Sequence, residues 1–193
     1  MTVTPFPLQS QQPATSSVDE INIWKSRARE TAVEMIMKSA HMADLSKLLW
    51  VHGLIKERKL VARALTKRMS QERQLAASFF FSKDSLHNKH VLLFPTLATQ
   101  LSISIPDICP LINKVIEAEP NIMGRDIPAE KQLAELIVGP IQAIGDAFPT
   151  PMNIVIDGLD DCQGDSIRQR VACLIAAHKF HQLPLRIIIT SHV

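Results

Sequence analysis

At 193 residues, 46% hydrophobic and 21% charged, the chain is long enough to bury one substantial core and too short for two comfortable domains. A net charge of +2 gives no overall pull toward nucleic acid, although residues 1–90 hold fourteen Lys/Arg against eight Asp/Glu. Cys109, Cys162 and Cys173 are odd in number and lack CxxC spacing, which speaks against a disulfide framework or zinc site, and no apolar run reaches the ~18 residues of a membrane span. A cytoplasmic protein without membrane association is the expectation.

Residues 1–18 are rich in Pro, Gln, Ser and Thr and are expected to form a disordered tail. Residues 19–43 carry Ile21, Trp24, Ala28, Ala32, Val33, Ile36 and Met37 at spacings of three and four, which predicts an amphipathic helix packed on the outside of the domain. From Lys47 the texture changes to short apolar runs, KLLWVH, LAASFFF, MNIVID and LRIIITS, separated by helical patterns over 58–73, 90–104, 106–118, 128–143 and 165–180. Alternating buried strands and crossover helices predict an α/β fold with an open, mostly parallel sheet covered by helices.

The strongest chemical signal is NIVIDGLDDC, residues 153–162, where an apolar strand runs into Asp157, a glycine, and then Asp160 and Asp161. Ligands of open α/β sheets lie beyond the carboxyl ends of the strands, so these carboxylates would crowd at the working edge and suit magnesium, a hard cation that takes oxygen ligands. The bland reading is a turn whose acids cap the helix beginning near Asp165.

A phosphate cradle should come after an earlier strand, and WVHGLIKERKL, residues 50–60, is the place to look. In the frame G-x-x-x-x-G-K-[ST], Gly53 and Lys59 are in register, whereas the second glycine is Arg58 and the hydroxyl position is Leu60. One magnesium ligand is thereby lost, and Glu57 adds negative charge where phosphates would lie.

The stretch from Ser46 to His192 resembles the NACHT and nephrocystin-like NTPase modules of large fungal signalling proteins. LLWVHG is similar to their first strand, LAASFFFSKD to the second, IVIDGLDDC to the acidic third and LPLRIIITSHV to the fourth, and ATQLSISIPDICPLINKVIEAEPNI to the helical stretch between strands two and three. The resemblance implies a domain over 44–193 with strand order 1-4-3-2, interrupted before the fifth strand that such modules place beside strand one. It implies ATP or GTP with magnesium as cofactor: Asp157 on the metal, Asp160 and Asp161 positioning the attacking water, Gly53 and Lys59 on the phosphates. His192 stands where these modules commonly carry an arginine that senses the γ-phosphate. The departures at Arg58, Leu60, Asp161 and His192 point to weak or absent hydrolysis.

Three functions fit this reading: a nucleotide-binding signalling module, a pseudo-NTPase that acts only as a protein-interaction scaffold or by self-association, and a nucleic-acid binder using the basic run 56–73. That run holds seven basic residues against two acidic ones without interleaved aromatics, the pattern of a solvated helix face. Phe79–Phe81 read as strand core rather than a base-stacking platform. The pairs His87/His90 and His178/His181 lack completing carboxylates or thiols, and Ser78, Ser82 and Ser191 lack a His/Asp arrangement or nucleophile elbow.

Overall fold

The computed structural model of the chain describes residues 18–41, 48–52, 55–81, 90–149, 152–161 and 183–191. In chain order these form α1 (Val18–His41), β1 (Leu48–His52), α2 (Ile55–Gln71), β2 (Leu75–Phe80), α3 (Leu93–Ser104), α4 (Cys109–Ala118), α5 (Ala129–Leu133), α6 (Gly139–Ile144), β3 (Met152–Asp157) and β4 (Leu185–Ser191). Of the expected tail at 1–18 all but Val18, the first residue of α1, lies outside the described residues, as do the helix expected over 165–180, Gly53 and His192.

The four strands form one parallel sheet in the order β1-β4-β3-β2, as the resemblance implied. Successive side chains of a strand point to opposite faces, and that alternation divides the core. Ile154 and Ile156 of β3 and Ile187 and Ile189 of β4 face the layer built from α3, α4 and α6, together with Phe79 and Phe81, whose rings meet edge to face at 4.8 Å. Val155 and Ile188 face the other way, onto Leu65 and Met69 of α2 and Val33, Ile36, Met37 and Ala40 of α1.

The core-facing set of α1 differs from the expected one. Ala28 is exposed, and burial starts at Ala32 and Val33. At 100° per residue Ala28 lies roughly a third of a turn away from the centre of the face formed by residues 32, 33, 36, 37 and 40, so three-and-four spacing alone joined two different faces into one. The inner end of α1 is fixed by Arg186 of β4, whose Nη1 donates to the carbonyls of Ser39 (2.8 Å) and Ala40, two of the acceptors a helix C-terminus leaves unmet.

The predicted helix over 128–143 is continuous but not regular. Pro140 has no N–H to give residue 136, and the turn before it widens into a π segment over Ala134–Val138, with the Gly139 N–H reaching back to the Ala134 carbonyl. The two sheet edges are also unlike. On β2 the Gln100 amide of α3 accepts from Ser78 N at 2.7 Å and donates to Ser78 O at 2.9 Å, standing in for a neighbouring strand, while β1 is half-buried along its whole length.

Helix α2 ends on Arg73 in the left-handed region, φ 56°, with Gln74 N bonded to Met69 O at 2.7 Å. A side chain there costs roughly 1 kcal/mol relative to glycine. Arg73→Gly is therefore expected to raise the thermal unfolding midpoint by about 3 °C, which calorimetry would check.

Candidate functional site

The alternation that sorts the core also aims the site. Asp157 ends β3 on the face of Val155, and its register partner Thr190, the penultimate residue of β4, lies on the face of Ile188, so both point toward α2. Gly158 then turns the chain at φ +76°, where a Cβ would come within 3.0 Å of the Phe81 carbonyl oxygen. The turn is tied on each side: Phe81 N donates to Asp157 O (2.8 Å), Gly158 N to Thr190 O (2.9 Å) and Asp161 N to Gly158 O (2.7 Å). A single 3-10 turn, Leu159–Asp161, brings Asp160 and Asp161 back beside Asp157.

The three carboxylates gather around a cation supplied by the chain itself. Arg58, in the first turns of α2, is 1% exposed at its side chain. Its Nε lies 3.3 Å from Asp157 Oδ1, its Nη1 2.5 Å from Asp160 Oδ1 and its Nη2 3.9 Å from Asp161 Oδ2. Only the Asp160 contact has hydrogen-bond geometry. Lys59, a third exposed, places Nζ 3.0 Å from Asp161 Oδ2, and the Thr190 hydroxyl donates to Asp157 Oδ1. Asp161 is almost fully enclosed, whereas Asp160 keeps 19% of its side chain in solvent.

Arg58 goes inward because of its place in the helix. Residues 58, 62, 65 and 69 repeat at the spacing of one helical face, and Ala62, Leu65 and Met69 are fully buried on it. The guanidinium is thus delivered to the end of the sheet by the same stripe that packs α2 on Val155 and Ile188. Burial pushes the Asp157 carboxyl above its ordinary value of 3.8. The Thr190 hydrogen bond and the Arg58 and Lys59 charges only partly oppose that rise, and Asp160 adds to it.

Of the residues singled out from sequence, Asp157, Asp160, Asp161 and Lys59 meet at one place. Leu60 is exposed, 43%, on a different face of α2. Ser191 is turned to the opposite face of the sheet, where Trp50 Nε1 donates to its hydroxyl at 2.6 Å. Arg58, counted above with the solvated basic face, is instead buried at the centre of the cluster. The expected solvated basic face is narrower than the count of seven implied, because Arg58 and Lys59 turn to the acids and Arg68 pairs with Glu72 at 3.0 Å. Thr190 went unnoticed, although its position two residues after Ile188 and one before the end of a buried strand placed it beside Asp157. Among the described residues no group of three or more His, Cys, Asp or Glu is arranged to hold a metal ion, and no helix is long and apolar enough to cross a membrane.

The family model described as nephrocystin 3, N-terminal, matches residues 32–192, which includes both α1 from its first buried residue and the whole cluster. No curated protein and no solved structure matches the chain.

Two outcomes test the electrostatics. Removing one member of a buried ion pair strands the others, so Arg58→Ala is expected to cost about 3 kcal/mol or more, a midpoint fall on the order of 10 °C. Because the native state holds the Asp157 proton more tightly than the unfolded chain, its contribution is fully present below pH 3.8 and is lost as pH rises through the raised value. Unfolding free energies measured against pH should show that decline above pH 3.8, and Asp157→Asn should flatten it.

Proposed function

This chain belongs to the nephrocystin 3 N-terminal family, and from that premise we propose that it is a NACHT-type nucleotide-fold module without nucleotide hydrolysis, working as a protein-interaction piece in signalling. The observation that carries the reading is the position of Arg58. In the phosphate-loop frame it replaces the second glycine, and its guanidinium lies among the carboxylates that the resemblance assigns to magnesium and to the attacking water.

Magnesium does not fit this cluster as it stands. A cation that uses one or two carboxylates plus phosphate oxygens needs those carboxylates free on one side. Here Asp157 Oδ1 accepts from the Thr190 hydroxyl and has Arg58 Nε at 3.3 Å, Asp160 Oδ1 accepts from Arg58, and Asp161 Oδ2 has Lys59 Nζ at 3.0 Å. Lys59, the residue expected on the β- and γ-phosphates, is likewise drawn to Asp161. Leu60 brings no hydroxyl to the metal side. What remains is a folded α/β layer whose acidic edge is neutralised from within, a state suited to binding other proteins irrespective of nucleotide.

Thermal unfolding with millimolar ATP or GTP and magnesium tests this directly, with phosphate release monitored in parallel. The parent chain is expected to show neither a midpoint shift nor turnover. Arg58→Gly, which frees the carboxylates, is expected to be less stable alone and to recover part of the loss when magnesium is added. A magnesium-nucleotide shift in the parent that Lys59→Ala and Asp157→Ala both abolish would refute the proposal.

A further inference from the structure

Helix α1 has two faces, and among the described residues one of them is buried by the domain. Ala32, Val33, Ile36, Met37 and Ala40 are buried against α2 and the sheet. Positions 21, 24, 28, 31 and 35, occupied by Ile21, Trp24, Ala28, Thr31 and Met35, repeat at alternating steps of three and four, the a/d spacing of a coiled-coil seam. On this helix that seam lies opposite Val33 and Ala40, and in the described side chains it faces solvent: Ala28 and Thr31 are exposed, and Met35 is 47% exposed.

We propose that this seam binds a second copy of the chain, the two α1 helices packing antiparallel about a two-fold axis between residues 29 and 30. The charges flanking the seam favour this arrangement. Residues 20, 27 and 34 lie on one side of it, and with the axis between 29 and 30 Arg27 of each copy meets Glu34 of the other, twice by symmetry. The same register brings Ala28 opposite Thr31 of the second copy, a small residue against a small one. A parallel pair would instead bring Lys38, the next seam position, against its own copy. Since the domain packs on the far side of α1, each helix can receive its partner without disturbing its own core. The contact covers about 24 residues of one helix, roughly 36 Å, which fits a weak and reversible dimer better than an obligate one.

Sedimentation equilibrium of the full chain from low micromolar to hundreds of micromolar tests the assignment. The parent is expected to pass from monomer to dimer. Met35→Asp, on an exposed site, should weaken dimerisation about tenfold or more with its thermal midpoint unchanged. Arg27→Glu and Glu34→Arg should each weaken it, and the double variant should restore it. Retention of a dimer in Met35→Asp, a parent that stays monomeric throughout, or recruitment of the chain to anionic vesicles through the same seam would overturn the proposal. None of these readouts depends on nucleotide, so its failure is separable from failure of the function proposed above.

Discussion

A guanidinium almost entirely removed from water is the constraint around which the carboxyl end of the sheet is arranged. Leaving such a charge unpaired would cost several kcal/mol, so the chain must bring acids to it. It does so with three devices that are local in sequence. Strand alternation aims Asp157 at α2, the left-handed Gly158 reverses the chain within van der Waals contact of Phe81, and one 3-10 turn returns Asp160 and Asp161. Each device can be read as a generic turn; together they surround one buried cation with carboxylates. The pair is not thereby a source of net stability, since well-packed apolar residues can do as well, but it makes the arrangement intolerant of losing either sign.

On the proposed reading, this changes what the departures from the phosphate-loop frame mean. A glycine at position 58 would leave room for phosphate oxygens and would leave the three acids in need of an external cation. An arginine there supplies the cation covalently, so on the proposed reading the folded state no longer depends on a bound metal or nucleotide for charge balance. Burial outweighs the opposing charges at Asp157, so its carboxyl holds its proton more tightly than an ordinary carboxylate does.

Much of the architecture was legible because its signals are periodic. Four apolar runs gave the four strands within a residue or two, and resemblance supplied the order β1-β4-β3-β2 that periodicity cannot. The acids were found because they cluster in sequence. Arg58 was misread for a physical reason: charged residues are assigned to the outside of an amphipathic helix by type, whereas its phase, three, four and seven residues from Val61, Ala62 and Leu65, places it inside. The face of α1 was blurred in the same manner, by accepting steps of three and four without tracking the angle they accumulate. The Gln100 amide against Ser78 joins two separate segments and left no local trace, whereas the π turn has a local sign in Pro140 that a helical pattern of apolar residues does not weigh.

The two regions, acid cluster and α1, are joined by α2. One stripe of that helix carries Arg58 at its start and Leu65 and Met69 farther along, and the latter pack on Val33, Ile36, Met37 and Ala40. A rotation of α2 that relieved the ion cluster would also shift the ridge on which α1 rests, because packed side chains slide poorly past one another. Arg186 ties the end of α1 to β4, the strand that carries Thr190 to Asp157. Helix α1 and the buried charges therefore rest on the same two elements, α2 and β4.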